Sequence, residues 1–401
     1  MTRDDLVILD GARTAMAEYV GTPGYGKLAG HSALELGGIA AGAALERSGV
    51  KPEDIGHVVM GSVLYTSVDH LYGARHVSLK AGIPVSVPAL TVNRLCGSGI
   101  QSIVSACHIL MAGEADCTVA GGMENMSQAP FMLMDARAGY RFGQQWELKD
   151  QLMASLSDPM CGLFMAQTAE NLAKKYSISR EAQDEFALRS HQLGAAAVKN
   201  GLFKEEIVPV EIKRRDKVVG VVDTDDHIKP ETTIEALAKL RAAFGKEGTV
   251  TAGNASGIVD SAAALVVTKA SVAKAKGWKP RARIVAWNAV GVEPSEMGIG
   301  PAPAIRNTLD KAGVELGDVD YFEINEAFSA QYLAVEKELE LDRDKVNVNG
   351  GAVAIGHPLG ATGTRLVLTL VHQLERSGKR YGIASACIGG GQGIAMLIER
   401  I

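Results

Sequence analysis

Four residues in this 401-residue chain combine types and settings that could carry covalent chemistry. Cys96 stands in N-R-L-C-G-S-G (Asn93–Gly99), just ahead of an apolar run with helical spacing. A thiol at a helix N-terminus feels the partial positive charge of unpaired backbone N–H groups, so a lowered pKa and a reactive thiolate are expected. The competing reading is a small buried group packed beneath a helix. His357, in G-H-P-L-G-A-T-G (Gly356–Gly363), precedes a rigid proline that cannot donate, in a loop shaped to hold one imidazole. Cys387, in A-C-I-G-G-G-Q-G (Ala386–Gly393), ends a strand-like run and enters three glycines whose N–H groups can face a developing oxyanion. Asn325, in I-N-E-A-F-S-A-Q (Ile324–Gln331), ends another such run, where it could hold a water or a carbonyl while Glu326 orients neighbours. Both could equally cap the next helix. Together, Cys, His, Asn and a second Cys suit acyl transfer through a thioester, one thiol taking the acyl group and the other moving a proton.

These residues lie far apart in sequence, so the fold must bring them together. An internal repeat offers the means. Leu45–Val63 aligns without gaps on Leu309–Ala327, each reading as a helix end, a glycine stop, a short acidic turn and a strand. The same offset of 264 residues lays C-G-S-G (96–99) over G-A-T-G (360–363) and T-V-A-G-G-M (118–123) over G-I-A-S-A-C (382–387). The chain therefore reads as two similar α/β halves, 1–121 plus 250–272 and 273–401, with His357 on the loop equivalent to that of Cys96. Residues 122–249 form a different, inserted region. It is rich in Met, which could fill irregular core gaps or line an adaptable apolar site.

Composition narrows the class. A net charge of -5 gives no global pull toward nucleic acid or an anionic membrane, and no apolar run reads as long enough to span a bilayer. The five cysteines show no zinc or redox spacing, and no metal-ligand pattern is present. A-G-N-A-S-G (252–257) fits neither a P-loop nor a dinucleotide fingerprint. A strand-like run almost from the first residue gives the expectation of no presequence, and with it the odd cysteine count points to a reducing, cytoplasmic setting.

The motifs together resemble the thiolases, acyltransferases that cleave or form 3-oxoacyl-CoA. The likeness spans nearly the whole chain: I-L-D-G-A-R-T-A, N-R-L-C-G-S-G, A-G-G-M-E-N-M-S-Q-A-P, G-T-V-T-A-G-N-A-S-G, G-I-G-P-A-P-A, N-E-A-F, G-H-P-L-G-A-T-G and C-I-G-G-G-Q-G. N-R-L-C-G-S-G with N-V-N-G-G-A-V-A-I-G-H-P looks most like the degradative 3-ketoacyl-CoA type. The resemblance implies a five-layered αβαβα fold of two pseudo-symmetric halves, with a loop domain at 122–249 that binds CoA. It implies Cys96 as the acylated nucleophile, His357 as its activator and Cys387 as the acid/base at the acetyl-CoA carbon. One oxyanion hole would be His357 with a water held by Asn325, and the other the N–H groups of Cys96 and Gly389. Ser256, Ala252, Phe244, Met165, Met297, Ala327 and Phe328 would lie near the pantetheine, with Lys229 toward the nucleotide phosphates. CoA and acyl-CoA would be substrates, with no permanently bound cofactor, and the assembly a homodimer or a homotetramer using part of Met123–Arg141.

One departure stands out. Acetoacetyl-specific members carry a His before the Met in the loop over the acyl pocket, whereas L-F-M-A-Q-T-A-E-N here has Phe164. Met160, Leu163 and Phe164 then read as an apolar roof suited to a longer acyl chain, although a bulky Phe could equally narrow the pocket. The alternatives are a ketoacyl synthase of the same fold and a thiolase-like lipid-binding protein without catalysis.

Overall fold

The computed structural model describes residues 4–19, 26–245 and 247–401, so the first three residues of the opening run lie outside it. The first half begins with β1 (Leu6–Thr14), α1 (Ala33–Ser48), β2 (His57–Gly61), β3 (Ala89–Val92), α2 (Ser98–Ala112) and β4 (Cys117–Glu124). The intervening region holds α3 (Met165–Lys175) and α4 (Arg180–Lys199), after which β5 (Val259–Lys269) returns to the first half. The second half runs β6 (Ala282–Gly291), α5 (Pro301–Ala312), β7 (Tyr321–Ile324), α6 (Ser329–Leu339), α7 (Leu359–Ser377), β8 (Tyr381–Ile388) and β9 (Gln392–Arg400).

The strands hydrogen-bond in the order β3-β2-β4-β5-β1-β6-β9-β8-β7, the halves meeting where β1 pairs antiparallel with β6 through Leu6–Ile8. The three largest apolar cores among the described residues lie on the faces of the two half-sheets, the first β3-β2-β4-β5-β1 and the second β6-β9-β8-β7. α1 packs on the outer face of the first sheet, around Leu34, Leu36 and Met123. α2 and α7 lie between the two sheets, joining Ile100 and Leu110 to Leu366 and Leu370. α5 and α6 cover the outer face of the second sheet, around Ile305, Tyr332 and Val335. The strands β1, β2, β4, β5, β8 and β9 set alternate residues on two of these cores, which is why they are apolar on both faces.

The repeat is realised in three dimensions. β4 and β8 have eight residues each and are 264 residues apart, and β2 and β7 begin 264 apart. α1 and α5 both stop at a glycine in the left-handed region, Gly49 (φ 67) and Gly313 (φ 66), as a glycine stop requires. The central helices touch at their first turns: a Cβ on Gly99 would lie 2.4 Å from Thr364 N, and one on Gly363 2.4 Å from Ile100 N. Only bare backbone permits this approach, and it draws the Cys96 and His357 loops to one place.

The intervening region is anchored through ion pairs. Buried Arg13 of β1 reaches Asp225 with both terminal nitrogens (2.7 and 2.8 Å) and Glu206 through Nε (2.9 Å), the paired geometry a buried guanidinium requires. One expectation is corrected: Leu95–Ala112 is apolar and long enough to cross a membrane by length and composition. Its apolarity has another cause, since α2 lies between two sheets and meets apolar neighbours on both sides. None of the five cysteines forms a disulfide.

Candidate active site

Cys96 sits on a tight turn that its neighbours hold under strain. Leu95 adopts φ 46, a conformation costing a branched residue about 1–2 kcal/mol. The turn is pinned by Leu95 N to Asn93 Oδ1 (2.9 Å), Gly97 N to Arg94 O (3.0 Å), and Ser98, whose Oγ donates to Leu95 O (2.7 Å) and accepts from Arg94 N (2.8 Å). The half-buried thiol meets two backbone donors, the N–H groups of Gly389 and of Cys96 itself. The expected lowering of its pKa does not occur. Burial pushes the thiol up to about 11; the two N–H groups oppose this and the buried Glu124 carboxylate adds to it. The lowering donors are the Gly389 hairpin and the residue's own N–H rather than the helix end, and desolvation exceeds both.

His357 follows Gly356 and is locked from both sides. Its backbone N–H donates to Gly257 O (2.9 Å), and Nδ1 lies 2.6 Å from Thr362 Oγ1. The Thr362 hydroxyl donates to Pro358 O (3.0 Å), so it accepts from Nδ1–H and leaves Nε2 with its lone pair. Asn325, immediately after β7, points Nδ2 at that lone pair from 3.3 Å, and its buried Oδ1 has no partner among the described residues. Burial, aided by the Arg365 cation, holds the imidazole down to about 3, so it is neutral at physiological pH. Glu326 does orient neighbours. Its carboxylate accepts from Ser190 Oγ (2.7 Å), Asn347 Nδ2 (2.8 Å) and Val353 N (3.1 Å), tying α4 to the segment that leads into His357.

Cys387 is buried near the end of β8, packed with Met165, Met297, Ala327 and Phe328. Burial raises its thiol far above the ordinary range, and Cys96, whose thiolate would repel a second one, raises it further. Glu124, at the end of β4, accepts from Val63 N (3.1 Å), Leu64 N (2.9 Å) and Gly360 N (2.8 Å), joining loops from both halves. Its burial lifts it to about 8.

A cavity of about 370 Å³ has His357 on its wall, together with Met126 and Leu359 of the cluster on which Cys96 packs, and Met165 and Phe328, which pack with Cys387. Of the residues expected near a ligand, Ser256, Ala252, Phe244, Met165, Phe164 and Phe328 line it. Met297 and Ala327 instead stand behind the wall beside Cys387. Lys229 is also off the wall: its Nζ is committed to Glu18 Oε2 (2.8 Å), whose other oxygen faces His227 Nδ1 (2.9 Å). The expected roof is corrected as well. Met160 is largely exposed and, like Leu163, does not line the cavity, where Met126, Met153, Leu156 and Leu359 join Phe164. Methionine thus serves both roles, Met123 filling core and Met126, Met153 and Met165 lining the cavity. Sequence reasoning missed Thr362 and Glu124, although both lie inside motifs it had marked; a hydroxyl one helical turn after the His-Pro was the available signal.

Comparison with known proteins bears on this arrangement. Residues 6–271 match the family model of the thiolase N-terminal domain, and residues 278–400 that of the thiolase C-terminal domain. The mitochondrial 3-ketoacyl-CoA thiolase of Homo sapiens is 50% identical over 374 residues, 93% of this chain and 94% of its own. An acetyl-CoA acetyltransferase of Cupriavidus necator is 47% identical over 396 residues, 99% of either chain. The crystal structure of human mitochondrial 3-ketoacyl-CoA thiolase in complex with CoA superposes with a TM-score of 0.95 at 47% identity, covering 99% of this chain and 98% of that one. Two matched domains that together span the fold, and relatives aligned from end to end, make this chain a member of the thiolase family.

Proposed function

We propose that the chain transfers acyl groups through an acyl-Cys96 thioester, cleaving 3-oxoacyl-CoA with CoA and running the reverse Claisen condensation of acetyl-CoA. What carries this reading is a neutral imidazole on the wall of one apolar cavity, with Cys96 packed on the cluster that holds the wall residues Met126 and Leu359, and Cys387 packed with the wall residues Met165 and Phe328. In cleavage, Cys96 Sγ attacks the 3-keto carbon as His357 Nε2 takes the thiol proton. The C2–C3 bond then breaks, and Cys387 protonates C2 of the departing acetyl-CoA. In the second half-reaction the Cys387 thiolate takes the CoA thiol proton as CoA sulfur attacks acyl-Cys96, and the shortened acyl-CoA leaves as Cys96 recovers the proton held on His357. With the thiol near 11 and the imidazole near 3, a resting ion pair is disfavoured, so proton transfer accompanies attack. The N–H groups of Cys96 and Gly389 form one oxyanion site, and His357 with an Asn325-held water the other.

Ser256, Ala252, Phe244 and Phe328 would flank the pantetheine, and the apolar wall of Met126, Met153, Leu156, Phe164 and Leu359 favours acyl chains longer than acetyl. Exposed Val68, Leu71 and Tyr72 near edge strand β3, and Phe131, Leu133 and Leu148 on the hairpin after β4, support a homodimer that pairs into a tetramer. Cysteines that form no disulfide fit a reducing compartment such as the cytoplasm; cell fractionation tests that placement, and light scattering the assembly. For the chemistry, Cys387→Ala incubated with acetyl-CoA should give acetyl-Cys96 by mass spectrometry without forming acetoacetyl-CoA. Loss of acetyl-Cys96 would refute the assigned roles. Thiolysis across acyl lengths, run beside acetyl-CoA condensation, tests the chain preference.

A further inference from the structure

We infer that Arg94 and Gln392 clamp the two halves together and so set the spacing between the Cys96 and Gly389 backbone donors, acting as positioning residues for acyl transfer; this rests on the oxyanion site proposed above. The two donors come from different halves. One belongs to the turn before α2, the other to the hairpin between β8 and β9. That hairpin turns through Gly389, Gly390 and Gly391, the last two at φ 82 and 80, a backbone with little stiffness of its own. An N–H that must stay aimed at a reacting oxygen therefore needs support from outside the turn.

One support lies within the second half, where Val292 N donates to Gly391 O (2.8 Å). It holds the far side of the turn and says nothing about Cys96. The near side is reached by Arg94. Its NH1 donates to Gln392 Oε1 (2.9 Å), while its Nε donates to Gln101 Oε1 (2.8 Å) in the first turns of α2. Gln101 is itself held, donating through Nε2 to Ser105 Oγ (3.1 Å). Gln392 pairs with Ile388 across the base of the hairpin, so fixing its side chain fixes the turn that carries Gly389. Around this bond the halves meet through apolar contact: a Cβ on Gly97 would lie 2.5 Å from Ile388 Cδ1, and one on Gly389 3.3 Å from Leu95 Cδ1. Such contacts resist compression but not sliding, whereas a guanidinium held at two nitrogens is directional. Neither Arg94 nor Gln392 lines the cavity, so neither is placed to bind substrate.

The test is a double-mutant cycle of Arg94→Met, Gln392→Met and the pair, with kcat expressed per acetylatable Cys96 so that misfolded protein does not count. Each single change should lower kcat about ten- to hundredfold, the scale of a misplaced oxyanion donor. KM should stay within about twofold, because no substrate contact is lost. The double variant should be no slower than the slower single. In Gln392→Met, which leaves every charge in place, the pH midpoint of Cys96 alkylation by iodoacetamide should rise as the Gly389 N–H moves off. Gln392→Glu, whose carboxylate accepts the same bond, should keep more of the kcat than Gln392→Met. Losses that multiply, a loss carried by KM, or an unmoved alkylation midpoint would each overturn the clamp. The parent reading is separable: absence of acetyl-Cys96 in the unaltered enzyme removes the oxyanion site itself, whereas acetyl-Cys96 with fully active variants removes only the clamp.

Discussion

The two halves share a scaffold but differ in what stands at equivalent positions. Across the 264-residue offset, Cys96 faces Gly360, Asn325 faces Gly61 and Cys387 faces Met123. Each of these three is thus matched by a residue whose side chain offers no thiol or amide. Met123 fills the core beneath α1, its sulfur 3.1 Å from where a Cβ on Gly37 would lie. A Cβ on Gly61 would come within 2.8 Å of Ser98, and one on Gly360 within 2.6 Å of Met123 O and 2.9 Å of Gly61 O. A pseudo-twofold scaffold has room for two sites, yet the second is closed by the mutual packing of Gly61, Gly360 and Met123. Duplication supplies matching loops; chemistry arises where the copies cease to match.

This contrast can be attacked directly. Cys96→Ala should lower turnover by at least about 10⁴-fold, because the acyl group has no other acceptor; acyl-enzyme detected in that variant would end the single-nucleophile reading. Asn325→Ala should cost about 10²–10³-fold in kcat with the fold intact, the range for losing an oxyanion donor. Its counterpart, Met123→Ala, should behave oppositely, losing about 2–5 kcal/mol of stability through a core cavity while turnover of the folded enzyme persists. Urea unfolding and steady-state kinetics on both variants decide whether chemistry and packing are divided in this way.

The smallest effect concerns pH. His357 is held down to about 3 in the folded chain, against about 6.5 when unfolded. Its folded pKa is depressed, so the unfolded chain binds the extra proton below pH 6.5. Its contribution to stability is therefore present above that pH and is lost as pH falls from 6.5 toward 3. Relative to His357→Asn, the unaltered protein should lose about 2 kcal/mol between pH 7.5 and pH 5. A difference that stays constant with pH would mean the imidazole is not buried neutral.

Much of this was legible before any coordinates. Gly49 and Gly313 announce helix stops, and the eight-residue runs at Cys117 and Tyr381 become equivalent strands, because glycine stops and apolar runs are local signals. The pKa direction of Cys96 was read wrongly for the complementary reason. A helix start is visible along the chain, but the desolvation that raises the thiol comes from Val63, Leu64, Met126, Leu152 and Leu359, most of them remote in sequence. The cavity wall was read only in part on the same account. Met160 is adjacent in sequence to residues of the site yet faces solvent, while Met153 and Leu156 approach from an earlier helix and its end.

By itself, the sequence determined which groups are available: two thiols, one imidazole, one amide, and glycine turns able to carry them on two copies of one α/β pattern. The tertiary structure decided which of them meet, which proton each holds, and which copy of the site stays open. The reason is that propensity and turn chemistry act over a few residues. Protonation, cavity shape and the Gly99–Gly363 approach depend on atoms that only folding brings within a few ångströms.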